Sequence, residues 1–208
     1  MPDKKGVAFW DERFGQDAYV YGEAPNDFIA TAAPVHLPAP TDVLDLGAGE
    51  GRNAVFLARH GHRVTAADYS AQALRKTEQL ATQNDVPVNT MHVDVATWTP
   101  DRSWGGIVIT FLHGPAAWRQ QLYRCIQTAL EPGGRLIAEW FHPEQRTEGH
   151  TSGGPPDVAM MVTADELRDA FDPNGIEVLE AAAPVLDEGP YHTGPAATVR
   201  FVWRAPVE

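Results

Sequence analysis

Apolar and polar positions change period repeatedly along the chain, and each change marks the border of an element. Val43, Leu44 and Leu46 form an apolar run that predicts a short buried strand, Gly47 to Gly51 break it with a glycine-rich turn, and Asn53 to Arg59 resume at helical spacing. Arg59, His60 and Gly61 suit the end of that helix. RVTAAD, closing on Asp68, reads as a second strand. Ser70 is placed to cap a helix in which Ala73, Leu74, Thr77, Leu80 and Ala81 follow a 3.6-residue period, and which stops before Pro87. VNTMHVDV predicts a third strand ending at Asp94, and Ile107 to Phe111 has the unbroken apolar character of a fourth strand covered on both faces. A helix from Pro115 to Leu130 carries Leu122, Cys125, Ile126 and Ala129 on one stripe, which makes Cys125 a core residue. Glu131 to Gly134 reads as a turn into a fifth strand, RLIAEWF, that ends at His142.

The flanking segments follow the same logic. Val7, Trp10 and Phe14 recur at helical spacing, with Asp11, Glu12 and Arg13 turned to water. Tyr19, Tyr21 and Gly22 come before the first strand, where the chain can fold over a ligand mouth, and Asn26 caps a short helix starting at Asp27. TAAPVHLPAP reads as a proline-rich connector. From Pro143 to Ala159 the chain turns polar and rich in glycine and proline, as a lid or binding loop does. Thr163 and Glu166 make a capping box for TADELRDAF. Two strands close the chain, Ile176 to Val185 and Thr198 to Arg204. In the second, Val199, Phe201 and Trp203 alternate with Thr198, Arg200 and Arg204, as one buried face requires. The loop between them, LDEGPYHTGP, is read as exposing Tyr191 and His192. Strands alternating with helices imply a parallel α/β sheet, and such sheets gather ligands at the carboxyl ends of their strands.

Composition narrows the partners. A chain of 208 residues suits one α/β domain, and a formal charge of −12 disfavours nucleic acid and anionic membrane surfaces, which repel a negative field. The single cysteine excludes an intrachain disulfide and fits a reducing compartment. The opening MPDKKGVAFWDERFG lacks the apolar core of a secretion signal and no stretch approaches membrane-span length, so the expectation is a soluble, cytoplasmic protein.

Candidate chemistry concentrates at the predicted carboxyl edge. Gly47 and Gly49 let the backbone bend sharply and approach a nucleotide-like ligand, and the following helix start points free N–H groups into the same crevice. Asp68, twenty-one residues after Gly47, can accept hydrogen bonds from both hydroxyls of a ribose. A dinucleotide fingerprint needs glycine at position 52, where this chain has Arg52; with Gly51 as the third glycine the spacing is G-x-G-x-G. His113 and His192 are the two histidines that can converge on a reacting group, to orient an acceptor or take its proton, with a structural hydrogen bond as the alternative for each. His142 and His150 show no metal-ligand spacing, and no metal is expected.

YVYGEAPNDF, VLDLGAGEGRNAVFLARHGHRVTAADYS, LEPGGRLI and EGPYHTGPAATVRF together resemble the class I S-adenosylmethionine (SAM)-dependent methyltransferases, and among them the small bacterial tellurite-resistance-like group. The resemblance implies a Rossmann-like doubly wound α/β fold, a seven-stranded sheet of order 3-2-1-4-5-7-6 with the last strand antiparallel and helices on both faces. It implies one domain over 1–208: an N-terminal helical cover at 1–40, a SAM-binding core at 41–141, and a lid loop with a substrate-side hairpin at 142–208. It places Gly47, Ala48 and Gly49, with the acid Asp45 before them, along the methionine part of SAM, Asp68 and Tyr69 at the ribose, and Asp94 and Val95 at the adenine edge. Arg52 or Asn53, with Tyr21 and Phe111, is expected to face the cofactor.

The reaction so implied is methyl transfer by in-line displacement, with His113 and His192 as catalytic candidates. FLHGP stands where nucleobase amino-methylating relatives carry a D/N-P-P-Y/F motif, which points to a small-molecule acceptor, a thiol or a chalcogen oxyanion, and to a monomer or weak homodimer. Thr193 stands where tellurite enzymes tend to have an arginine, leaving Arg146 or Arg200 as substitutes. A SAM-binding regulatory module without turnover and a nicotinamide-dependent oxidoreductase are the competing readings.

Overall fold

The computed structural model describes residues 6–207; the charged opening MPDKK lies outside them. Among the described residues nine strands follow in chain order: β1 (Asp42–Leu46), β2 (Arg63–Asp68), β3 (Val88–His92), β4 (Trp104–Thr110), β5 (Leu130–Phe141), β6 (Ile176–Ala182), β7 (Val185–Asp187), β8 (Thr193–Pro195) and β9 (Thr198–Arg204). Seven form one sheet of order β3-β2-β1-β4-β5-β9-β6, and β7 pairs with β8 as a separate antiparallel hairpin. Neighbours from β3 to β5 run parallel, while β9 is antiparallel to both β5 and β6. This is the expected doubly wound sheet with its last strand reversed.

Helices α1 (Val7–Phe14), α2 (Asp27–His36), α3 (Arg52–Arg59), α4 (Ala71–Gln83), α5 (Ala116–Ala129), α6 (Glu144–Thr147) and α7 (Ala164–Ala170) surround it. Strand alternation sorts the core into two layers. Leu44, Leu46, Ile107, Ile109, Leu136, Ala138, Trp140, Phe201 and Trp203 meet Leu122, Tyr123 and Ile126 of α5 and Leu167 of α7. Val43, Val64, Val108, Ile137 and Val202 meet Phe28, Ile29, Ala54 and Leu57 of α2 and α3 on the opposite face. Burial of each large side chain contributes roughly 1.5–3 kcal/mol, so the sheet is held from both sides.

Several borders depart from expectation, each for a local reason. Helix α2 runs through Pro34 to His36, because Phe28, Ile29, Ala32 and Ala33 anchor it to the sheet, and the connector shrinks to 37–41. Strand β3 stops two residues short of Asp94, although the Val93 N–H still donates to the Asp68 carbonyl. Strand β4 ends at Thr110, since Phe111 turns to φ +54°. Residues 131–134 are part of β5, and Leu130 already pairs with Trp104. Strand β9 has both faces covered, because α5 and α7 pack on the side of Val199, Phe201 and Trp203 while Val202 and Arg200 meet Phe28 of α2 on the other. The closing loop is folded as the β7–β8 hairpin, which buries His192 to 6% exposure and leaves Tyr191 exposed. Asp11 and Arg13 do not simply face water: Asp11 accepts from the Ser70 hydroxyl, and Arg13 lies over the rings of Phe9 and Tyr191. Cys125 is half-buried against the core, its thiol 3.6 Å from the Trp98 carbonyl.

Gly51, at φ +87°, immediately precedes α3. A Cβ there would stand 2.6 Å from the Thr77 methyl on α4, so this third glycine serves the packing of α3 against α4. Gly51→Ala is expected to lower unfolding stability by about 2–5 kcal/mol, from left-handed strain plus overpacking, read from urea denaturation. An unchanged midpoint would mean that the two helices separate freely.

Candidate active site

At the carboxyl edge of β1, β2 and β4 a cavity of about 440 Å³ opens. The turn after β1 forms its floor. The N–H groups of Gly47 and Ala48 both donate to the Ala67 carbonyl, folding the turn against β2, and Gly47 and Gly49 have φ +74° and +56°. Cβ atoms at these glycines would meet the Leu112 side chain at 3.1 Å and the Phe14 ring at 3.6 Å, both of which line the cavity. Asp68 is fixed beside them, taking the N–H of Gly49 on one oxygen and that of Ser70 on the other, each at 2.9 Å. Burial raises its carboxyl above the ordinary range, with those N–H groups pulling the other way.

The residues preceding β1 close the top. Lys76 on α4 donates to the carbonyls of Gln16 and Ala18 and to Glu50 at 2.5 Å, and the other Glu50 oxygen accepts from the Val20 and Tyr21 N–H groups. Lys76 and Glu50 are each 4% exposed, so the pair is a buried clamp that draws residues 16–21 onto the glycine turn. Trp10, Arg13, Phe14 and Tyr21 thereby reach the cavity wall, and the Arg13 guanidinium donates to the Tyr21 hydroxyl at 3.0 Å.

Beyond the glycine turn the wall is aromatic. Phe111 stands with ring centroids 4.6 Å from those of both Phe141 and His192, and its φ of +54° aims the ring there. Such a conformation in a bulky residue costs about 1–2 kcal/mol, and strain of this kind concentrates at functional sites. Tyr21 packs on His192 at 4.6 Å. From the lid segment, Gly153 packs so closely that a Cβ there would lie 2.6 Å from His192. Arg146 stiffens this lid by donating to the carbonyls of His150, Gly153, Gly154 and Pro155.

The two candidate histidines differ in what their nitrogens do. His113 uses both: Nδ1 lies 3.2 Å from the Met160 carbonyl, and the Phe141 N–H donates to Nε2 at 3.3 Å. Its proton therefore sits on Nδ1, and burial pushes its pKa down to about 3. His192 engages Nδ1 alone, 3.3 Å from a Glu188 oxygen, and burial lowers its pKa with Glu188 opposing.

Of the cofactor-side candidates, Tyr21, Gly47, Ala48, Gly49, Arg52, Asp68, Tyr69, Asp94, Val95 and Phe111 line the cavity, as do His113 and His192. Asp45 and Asn53 do not. Asn53 faces backwards, accepting from the Asn26 N–H and donating to the Thr110 hydroxyl, and Asp45 is 1% exposed behind Arg52. Neither proposed oxyanion holder is free: Arg146 is spent on the lid carbonyls, and Arg200 pairs with Glu139 at 2.8 Å. Glu50, Glu188, Trp10, Phe141 and Gly153 escaped the sequence reading. Only Glu188 left a signal, four residues before His192.

Residues 43–134 match a family described as a methyltransferase domain. The tRNA 5-carboxymethoxyuridine methyltransferase of Escherichia coli is 32% identical over 115 residues, half of this chain and 42% of that one. The 2-heptyl-1-hydroxyquinolin-4(1H)-one methyltransferase of Mycobacteroides abscessus is 29% identical over 134 residues, 62% of this chain and 56% of that one. The matches thus span about half the length of these curated relatives. The structure of TehB from Haemophilus influenzae superposes with a TM-score of 0.70 at 16% identity, covering 96% of this chain and 66% of that one, so the two share the fold. Among the described residues no helix is long and apolar enough to cross a membrane.

Asp45 supplies a pH dependence. Burial pushes its carboxyl up to about 7, with Arg52 opposing and Asp68 adding. The folded state then holds this proton more tightly than the unfolded one. Its contribution is full below the ordinary aspartate range and is lost as pH rises from about 4 to 7. Asp45→Asn is expected to flatten that decline in denaturation midpoints measured across the window; curves parallel to the parent's would show that Asp45 titrates normally.

Proposed function

We propose that this chain is a class I SAM-dependent methyltransferase and moves the SAM methyl group to a small, largely apolar acceptor bearing a thiol or hydroxyl group. The observation that carries this reading is one continuous cavity, running from the glycine turn and Asp68 to an aromatic chamber in which His192 keeps Nε2 out of any hydrogen bond made among the described residues.

The residues present fit the cofactor. Gly47 and Gly49 keep side-chain atoms off the floor, and Asp68 holds a fixed carboxyl at the wall. Arg52 lines the cavity, is 7% exposed, and has an Nη1 without a partner, a buried donor suited to a carboxylate at the amino-acid end. Asp94 and Val95 would take the adenine edge. When bound, SAM supplies a methyl group on a positively charged sulfur.

The protein's own work is positional. The Lys76–Glu50 clamp keeps residues 16–21 over the site and water out, while Phe111, Phe141 and His113 form a rigid wall for the acceptor. Alignment of two reactants in this way can contribute on the order of 7–11 kcal/mol. His192 takes the acceptor's proton through Nε2, whereas His113 shapes the chamber, its nitrogens being used by the main chain. Arg119, Arg146 and Arg200 already have carboxylate or carbonyl partners, Arg13 is held by the Tyr21 hydroxyl and the rings of Phe9 and Tyr191, and the open Nη1 of Arg52 is assigned to the cofactor, so an oxyanion would lose hydration with little to replace it, and this disfavours the chalcogen oxyanion reading. The hydroxyquinolone methyltransferase among the relatives acts on an acceptor of the favoured kind, while the charge of −12 argues against the tRNA substrate of the other.

Calorimetric titration should show binding of SAM and of its demethylated product, with no signal from NADH. Asp68→Ala should weaken SAM binding by about 10- to 150-fold, the worth of one hydrogen bond to a charged group, about 1.5–3 kcal/mol. Methyl transfer to an aromatic thiol or hydroxyheteroarene, with none to selenite, tellurite or tRNA, is the expected pattern. NADH binding alone would overturn the cofactor, and transfer to an oxyanion would overturn the acceptor class.

A further inference from the structure

The β7–β8 hairpin brings one carboxylate to the meeting point of the cofactor turn and the acceptor chamber. Glu188, 6% exposed, accepts from Asn26 Nδ2 at 2.9 Å on one oxygen. Its other oxygen accepts from Arg52 Nη2 at 2.9 Å and lies 3.3 Å from His192 Nδ1. Because that oxygen is ionised and accepts hydrogen bonds only, the nitrogen facing it must carry a proton. We infer that Glu188 is a positioning residue for methyl transfer, holding His192 in the tautomer with its proton on Nδ1 and leaving the Nε2 lone pair for the acceptor.

The surroundings support an ionised Glu188. Burial raises its carboxyl, but His192 and Arg52 outweigh this and hold it below the ordinary range. The groups facing His192 are Glu188 on its own hairpin, Arg52 on α3, Glu139 on β5, His113 after β4, and the Tyr21 ring. Arg52 and His113 disfavour a second proton on the imidazole; Glu188 and Glu139 favour it. A free histidine has no such director, and its proton exchanges between both nitrogens.

The role rests on the methyl-transfer reading, although the tautomer does not. In the step it serves, the acceptor's X–H bond gives its proton to Nε2. The electron pair of X then forms the new bond to the methyl carbon, as the old bonding pair leaves with the cofactor sulfur. Glu188 bears the imidazolium charge on the far side of the ring while Arg52 stays paired to the same carboxylate. Arg52 therefore ties the start of α3, and with it the glycine turn, to the orientation of the histidine.

The test uses the full chain labelled with ¹⁵N-histidine and needs no acceptor. Long-range proton–nitrogen correlation spectra at neutral pH are expected to show His192 with a protonated Nδ1 and an unprotonated Nε2. Glu188→Gln is expected to move the His192 titration midpoint at least one pH unit lower, a tenfold loss of imidazolium at a given pH, while the His113 resonances stay in place and report an intact fold. The same variant should displace the acid limb of the transfer pH profile in the same direction. An Nε2-protonated His192 in the parent protein, or the same midpoint in both proteins, would overturn the assignment. The correct tautomer and a displaced midpoint, with a transfer profile that does not move, would leave the histidine oriented and overturn its part in the reaction. Glu188→Asp, which retains the charge, should return the midpoint toward the parent's value, and if Glu188→Gln proves too unstable to read, the parent's tautomer still decides the assignment.

Discussion

A carboxylate buried among three donors sets the geometry at the carboxyl edge. Glu188 meets Asn26, Arg52 and His192, which belong to the cap of α2, the start of α3 and the hairpin itself. Taking two charges out of water costs several kcal/mol per ion, and the cost is recovered only when geometry and extra hydrogen bonds satisfy both. Here the second amide hydrogen bond of Asn26 goes to Glu139, which is 1% exposed and also takes Thr198 and Arg200. Strand parity explains why these meet. Glu139 shares a face with Ile137, and Thr198 and Arg200 share one with Val202, all on the side that α2 covers. The polar network is thus the continuation of an apolar layer beyond the strand ends.

A second buried pair does for the glycine-turn end of the cavity what the first does for the aromatic end. Lys76 and Glu50 satisfy main-chain groups of residues 16–21 that have no secondary structure to pair with. Removing either partner would leave a buried charge alone, at a typical cost of about 3–5 kcal/mol. The cover over the site is therefore bound to α4 by an ionic contact in the interior, and α1 is bound to it again where Asp11 meets the Ser70 cap. The residues before β1 behave as part of the wall.

Legibility in the sequence followed periodicity. The glycine turn, the Ser70, Asn26 and Thr163 caps and the position of Asp68 were all readable, because each depends on local spacing or on the βα alternation, whereas the order of the strands came from the family resemblance. Strand β9 was misread as having one exposed face because Thr198, Arg200 and Arg204 are polar, yet α2 covers the face they share with Val202, and Thr198 and Arg200 are satisfied there by Glu139. The hairpin that buries His192 has strands of three residues each, too short for any period to register. Asp45 and Asn53 sit in the right motif yet point behind the cavity, since a motif fixes the backbone and the side-chain direction follows from the strand and helix it joins. Glu50 and Lys76 meet across twenty-six residues, a pairing that exists only after α3 packs on α4.

The chamber excludes charge by arrangement as well as by composition. His113 and His192 are both neutral near pH 7 because burial lowers their pKa values, and Arg52, Arg119 and Arg146 each have carboxylate or carbonyl partners. What remains toward an incoming molecule is the aromatic surface of Phe111 and Phe141 and one imidazole edge. An apolar acceptor loses little on entering such a space and sheds water favourably, at about 25 cal/mol for each Å² of apolar surface covered. An anion would lose its hydration, and among the described residues the cations facing the cavity are engaged by carboxylates, carbonyls, a hydroxyl or aromatic rings, apart from the Nη1 of Arg52. On the proposed reading, a neutral acceptor that releases its proton only inside the chamber would meet both conditions, and the aromatic wall and the His192 imidazole would then select for the same chemistry.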